Sequence, residues 1–123
     1  MVIGRPGIIE PNPVPLSEKE LAAKVFRTLG DATRLEIVEM LLDGPRYQKE
    51  IVDAVGLSQG QVSHHLSCLT WCGLISAERK GRPVEYRIAD PRVVAMVDMA
   101  KALLEHSTGD ICSCRIVDEE PGE

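Results

Sequence analysis

Apolar residues recur along this chain at helical intervals for most of its length and alternate only briefly. Ser17, with Glu20 three residues on, forms a capping box. Behind it Leu21, Val25 and Leu29 make a helical stripe, with Phe26 beside it, as far as Gly30. A second helix is predicted from about Ala32, with Leu35, Ile37, Val38, Leu41 and Leu42 mostly inward, ending near Asp43-Gly44-Pro45. Tyr47 to Val55 reads as a short third helix closed by Gly56. Ser58 to Gly73 reads as a fourth, with Ser58 at the N-cap, Gly73 as a left-handed stop, and Val62, Leu66 and Leu69 on one apolar face.

Leu74 to Ala77 and Val84 to Ile88 alternate like strands around Arg79-Lys80-Gly81-Arg82-Pro83, which predicts a β-hairpin with a basic tip. A last helix is expected from about Pro91 to His106, with Val94, Val97, Ala100 and Leu104 apolar. Gly109 then opens an acidic tail containing Cys112-Ser113-Cys114. Residues 1–16 hold Pro6, Pro11, Pro13 and Pro15, the composition of an extended arm. The third and fourth helices, joined by a tight turn at Gly56 and followed by the hairpin, have the spacing of a winged helix-turn-helix. The expected fold is therefore mainly α with a β-hairpin wing (α+β). Its expected organisation is a Pro-rich arm (1–16), a DNA-binding domain (17–109) and a cysteine-containing tail (110–123).

On the fourth helix Gln59, Gln61, Ser63 and His64 occupy the first two turns, where a helix in the major groove meets base edges. Arg79, Lys80 and Arg82 at the wing tip are placed to attract phosphates. Gly60 leaves room for close approach, at a helix cost of about 1 kcal/mol against Ala. The same helix ends in two thiols, Cys68 and Cys72, four apart and hence on one side.

Composition refines this picture. The 123 residues are 44% hydrophobic and 27% charged, with net charge -5, which fits one domain with a modest core. One Phe, two Tyr and one Trp leave that core to aliphatic residues, as suits a small helical domain. An acidic chain looks wrong for a DNA binder until the charge is divided. Residues 45–88 carry six basic and four acidic side chains, leaving +2, while the acid lies towards the ends. No signal-peptide pattern and no apolar run near the ~20 residues of a membrane span are found. With no such signal, four cysteines suggest reduced thiols in a cytoplasmic protein with no membrane partner.

Four segments carry a family resemblance. Leu29-Gly-Asp-Ala-Thr-Arg-Leu35, Leu57-Ser-Gln-Gly-Gln-Val-Ser-His-His-Leu66, Cys72-Gly-Leu-Ile75 and Gly81-Arg-Pro-Val-Glu-Tyr-Arg87, in this order over residues 20 to 106, resemble the ArsR/SmtB family of winged-helix repressors. The resemblance implies a homodimer joined through its first and last helices. It also implies binding to an inverted-repeat operator in double-stranded DNA, with release when an inducer binds. The family counterparts of Gln59, Ser63 and His64 contact bases or phosphates.

Inducer sites differ among members. A Cys-x-Cys on the helix before the recognition helix is absent, since residues 46–56 hold no cysteine. An Asp-x-His opening the last helix is broken, because Asp90-Pro91-Arg92 puts Arg92 in the His position and Leu103 stands where the next ligand would come. Cys68 and Cys72 on the recognition helix with cysteine in the tail do match. They resemble cadmium- and lead-sensing members in which two helix cysteines join one from the tail. Here the tail offers Cys112, Cys114 or both.

Three or four thiolates make a soft site suited to Cd(II) or Pb(II) as inducer, also to Hg(II), with Zn(II) or Cu(I) bound on affinity alone. The expected function is a repressor released from its operator by such an ion. The same cysteines also admit a thiol-redox or persulfide sensor, or a metal-sequestering protein with an incidental winged helix. His64 and His65, in mid-helix, read as a DNA contact and a packing residue, and His106 as a favourable partner of the helix C-terminus. No nucleophile–base pair, phosphate loop or paired carboxylates appear, so an enzyme is not expected.

Overall fold

The computed structural model describes residues 16–113, without the side chains of 106–108 and 110–113. The Pro-rich arm, all but its last residue, lies outside the described residues. Five helices and a small sheet follow one another as α1 (Glu18–Leu29), α2 (Ala32–Leu42), β1 (Arg46–Tyr47), α3 (Gln48–Val55), α4 (Gln59–Trp71), β2 (Ile75–Arg79), β3 (Val84–Ile88) and α5 (Pro91–Ser113).

The helix starts are set by local chemistry. Ser17 and Glu20 cap each other at α1, with Ser17 N donating to Glu20 Oε1 at 2.8 Å and Glu20 N to Ser17 Oγ at 3.1 Å. Asp31 accepts from Arg34 N at 3.0 Å and begins α2. Helix α3 stops at Gly56, whose φ of 79° lies in the left-handed region that glycine adopts without strain. That stop turns the chain tightly into α4 and makes the helix-turn-helix.

The core lies under α4. Ile37, Val38 and Leu41 of α2, Ile51 of α3 and Val62, Leu66 and Leu69 of α4 are buried. Leu74, Ile75, Val93 and Val97 complete the same cluster. Fully burying one such side chain stabilises by about 1.5–3 kcal/mol, so rolling α4 about its axis would be costly. The apolar seam thereby fixes which of its polar residues face outward.

The sheet has order β1-β3-β2, all antiparallel. The hairpin predicted at the wing is present, with Ile75 opposite Ile88 and Arg79 opposite Val84. Its first strand begins one residue after Leu74 and runs on past Ala77, because pairing with β3 continues to Arg79. Strand β1 was not expected. Arg46 and Tyr47 pair with Tyr86 and Glu85, a length too short to show alternation in sequence.

Helix α5 departs from expectation at its C-terminal end. It passes His106 and Gly109 and ends at Ser113. Gly109 keeps a right-handed helical backbone, and a helical glycine costs about 1 kcal/mol without forcing a stop. Of its apolar residues Val97 is buried, whereas Val94, Ala100 and Leu104 are exposed. Val93 and Val97, four apart on one face, make the contact. Among the described residues Leu21 and Phe26 of α1 are exposed, as are Val94, Met99 and Leu103 of α5. Among the described residues no helix is long and apolar enough to cross a membrane.

Candidate DNA interface and thiol site

Helix α4 is held at both ends by motifs that also position its candidate functional groups. At the start Ser58 N donates to Gln61 Oε1 and Gln61 N to Ser58 Oγ, both at 3.1 Å. The Gln61 amide oxygen is thus committed to the cap, and Gln61 itself is exposed. At the end Cys72 is the C-cap and Gly73, with φ 78°, takes the left-handed C′ position. Leu74 N donates to Leu69 O at 3.1 Å and Gly73 N to Thr70 O at 3.0 Å, the two bonds of a Schellman motif.

Between these ends Gln59 and His64 are exposed, whereas Ser63 is half-buried. Ser63 Oγ accepts from Gln48 Nε2 at 2.8 Å and so ties α4 to α3. A groove beside the first turn is lined by Gln59, Tyr47, Gln48, Lys49, Arg82 and Pro83. Tyr47, Gln48 and Lys49 were not singled out in the sequence. The available signal was their place at the start of the first helix of a helix-turn-helix, the helix that crosses the phosphate backbone.

The wing's charge is partly internal. Lys80 Nζ lies 3.5 Å from Glu85 Oε1 and 3.9 Å from Glu78 Oε1. Arg87 also hydrogen-bonds Glu85 and holds its carboxyl below the usual range, Lys80 adding to the effect. Arg79 Nη1 donates to the carbonyl of Arg82 at 3.1 Å. Arg82 itself is exposed at the tip.

The two helix thiols are both free. Cys68 is half-exposed, with Sγ 3.8 Å from His64 Nε2 one turn earlier. Cys72 is half-buried against the core, with Sγ 3.1 Å from Thr28 Oγ1 near the end of α1. Cys112 belongs by its backbone to the last turn of α5, but its side chain lies outside the described residues, as does Cys114. Among the described residues no three His, Cys, Asp or Glu side chains gather at metal-ligand spacing. The helix therefore supplies two soft donors on one side, and any third must come from elsewhere.

Other titratable groups are already engaged. Arg92 Nη2 lies 2.6 Å from Asp90 Oδ2, and its Nε donates to Oδ1 at 3.0 Å. These bonds, with the Arg92 backbone N–H, pull the Asp90 carboxyl down to about 2. A carboxylate so paired is a poor start for a metal site at the head of α5. Burial raises the Asp31 carboxyl, but the Arg34 backbone bond and the charges of His65 and Arg34 hold it below its usual value.

Comparison with known proteins decides the family. The model described as "Bacterial regulatory protein, arsR family" matches residues 31–77, which span α2 to β2. A Streptomyces lividans protein named "Probable mercury resistance operon repressor" is 39% identical over 110 residues, covering 89% of this chain and 86% of that protein. The chain belongs to the ArsR family. The HTH-type transcriptional regulator CmtR of Mycobacterium bovis is 38% identical over 91 residues, 73% of this chain and 77% of that one. The solution structure of a homodimeric winged helix-turn-helix DNA-binding domain from Mycobacterium bovis superposes with TM-score 0.68 at 28% identity, covering 73% of this chain and 83% of the domain.

As an ArsR-family protein the chain is a DNA-binding transcriptional regulator and not an enzyme. The winged helix-turn-helix expected from the sequence is present, with α3 and α4 as its two helices and β2 and β3 as the wing.

Proposed function

We propose that this ArsR-family regulator is a repressor that holds its operator as a metal-free homodimer and lets go when a soft, thiophilic ion binds. One observation carries the reading: α4 bears exposed Gln59 and His64 at its start and two free thiols, Cys68 and Cys72, in its last turn and cap. The reading and sensing groups share one rigid element, so a ligand event acts on the reading helix directly.

The donor set fits a soft cation. Cys68 and Cys72 sit one turn apart without a competing disulfide, and Cys112 in the last turn of α5, Cys114 or both would complete the set. A bound ion would supply strong thiolate coordination, which suits Cd(II), Pb(II) or Hg(II) over harder cations, with Zn(II) weaker in this role. The name of the Streptomyces lividans relative, with its mercury resistance operon, supports a metal inducer of this kind. Arg92, paired with Asp90, argues against a second site at the head of α5.

In the DNA complex Gln59, Ser63, His64 and the Gln61 amide hydrogens would face base edges. Arg79, Lys80 and Arg82 would face phosphates. Residues 17–109 would be the DNA-binding and dimerisation domain, preceded by the arm and followed by the thiol-bearing segment. The exposed apolar residues Leu21 and Phe26 of α1 and Met99 and Leu103 of α5 support pairing through those helices, which would set two α4 helices one turn of an inverted repeat apart. When Cys68 and Cys72 take an ion, the end of α4 moves and the paired helices lose operator spacing. A coupling of about 1–3 kcal/mol would weaken operator binding about 5–150-fold.

The test is operator binding by gel shift under reducing conditions, titrated with Cd(II), Pb(II), Hg(II) and Zn(II). Release by the soft ions is expected. Release by oxidant alone, reversed by reductant, would favour thiol-redox sensing instead, and metal uptake without specific DNA binding would favour sequestration.

A further inference from the structure

The Cys72 sulfur is bonded away from the DNA face. Its Sγ lies 3.1 Å from Thr28 Oγ1, the next-to-last residue of α1, across 44 positions of sequence. Thr28 Oγ1 also donates to the Lys24 carbonyl at 2.8 Å. A threonine hydroxyl has one hydrogen, and the Lys24 carbonyl holds it. Towards Cys72, therefore, Thr28 accepts and the thiol donates. The Thr28 carbonyl in turn accepts from Arg34 Nε at 2.8 Å, and Asp31 caps the backbone of Arg34. Thr28 is thus the point where the end of α4, the end of α1 and the start of α2 are tied together.

We propose that Thr28 is a positioning residue that reports the coordination state of Cys72 to α1. The inference rests on the reading of Cys72 as an inducer ligand. When Cys72 gains a sulfur–metal bond it loses its S–H bond, and the proton leaves to solvent. The sulfur then has nothing to donate to Thr28. The hydroxyl instead turns its hydrogen from the Lys24 carbonyl to the thiolate, because a hydrogen bond to a charged acceptor is the stronger one. The last turn of α1 gives up its side-chain lock and follows the sulfur. Helix α1 carries the uncovered Leu21 and Phe26, so the change reaches the surface through which two chains would pair.

Two measurements on the full chain test this, with Thr28→Val removing the hydroxyl at constant shape and Thr28→Ser restoring it. The first is the infrared S–H stretching band of Cys72 in the metal-free protein, assigned by its loss in Cys72→Ser. It should move to higher frequency in Thr28→Val and return in Thr28→Ser. The second is operator affinity with and without Cd(II), with Cd(II) uptake followed by sulfur-to-metal absorbance. Thr28→Val should take up Cd(II) with affinity within about three-fold of wild type, while its Cd(II)-dependent loss of operator affinity falls from about ten-fold or more to under about three-fold. Thr28→Ser should recover the wild-type loss. If Thr28→Val does not fold, Thr28→Ala carries the same expectations. An unmoved S–H band, or an undiminished response to Cd(II) in the variant, overturns the proposal. A band that moves in Thr28→Val, together with a wild-type protein that Cd(II) does not release, leaves the bond in place but removes both the inducer reading and the coupling built on it.

Discussion

Gln48 and Ser63 join the two helices of the helix-turn-helix, with Gln48 Nε2 donating to Ser63 Oγ at 2.8 Å. The bond crosses the angle between α3 and α4 and fixes the pitch at which α4 enters a groove. Ser63→Ala leaves the Gln48 amide without this acceptor. It should lower stability by about 0.5–1.5 kcal/mol, read as a lower urea midpoint at constant slope. The same variant should also weaken operator binding.

The wing residues should not be equivalent. Lys80 already neighbours Glu85 and Glu78, whereas Arg82 is exposed and lines the groove beside Gln59. Arg82→Ala should reduce the salt dependence of operator binding by a log–log slope of about 1, the value for one lost phosphate contact. Lys80→Ala should reduce it less. Equal slopes for the two variants would mean that the carboxylates of the wing do not hold Lys80 back.

Gly73 holds the end of α4 in a left-handed turn with φ 78°, in a place with open space around it. The cost of Gly73→Ala is thus conformational and not steric, about 1 kcal/mol. Because Cys72 is the neighbouring cap, metal uptake should also weaken in this variant, measured by thiolate absorbance at fixed Cd(II).

Asp90 should titrate at about 2 in the folded chain, below the ordinary aspartate value of 3.8, because Arg92 hydrogen-bonds its carboxylate. With the folded value below the unfolded one, the pair's contribution is present above the unfolded value and is lost as pH falls through the folded value. NMR titration of the Asp90 side chain gives the midpoint. Arg92→Ala should move it up towards 3.8. Arg92 is exposed and Asp90 partly so, and raised salt should therefore have a similar, smaller effect.

Much of this was legible in the sequence because the signals are local. Ser17 with Glu20, Gly56, Ser58 and Gly73 mark helix ends by short-range bonds, and each does so in the structure. What failed was decided by distant partners. Strand β1 exists only because β3 lies beside Arg46 and Tyr47. The apolar spacing of α5 did not show which residues enter the core, and the rest of the fold selects Val93 and Val97. The last helix was expected to end at His106, with Gly109 opening the tail, but a glycine favours a helix end when its backbone turns left-handed, and here it does not. The contact of Thr28 with Cys72 joins residues too far apart in sequence for any spacing rule to connect them.

The central claim is that thiols on the reading helix control its grip on DNA. The most direct test is the operator affinity of wild type and Cys72→Ser under reducing conditions, measured by fluorescence anisotropy as Cd(II) is added. Release of the wild type, with Cys72→Ser binding the operator as tightly as the metal-free wild type and staying bound, is the predicted result. Retained operator binding by the wild type at saturating Cd(II), Pb(II) and Hg(II) would contradict it.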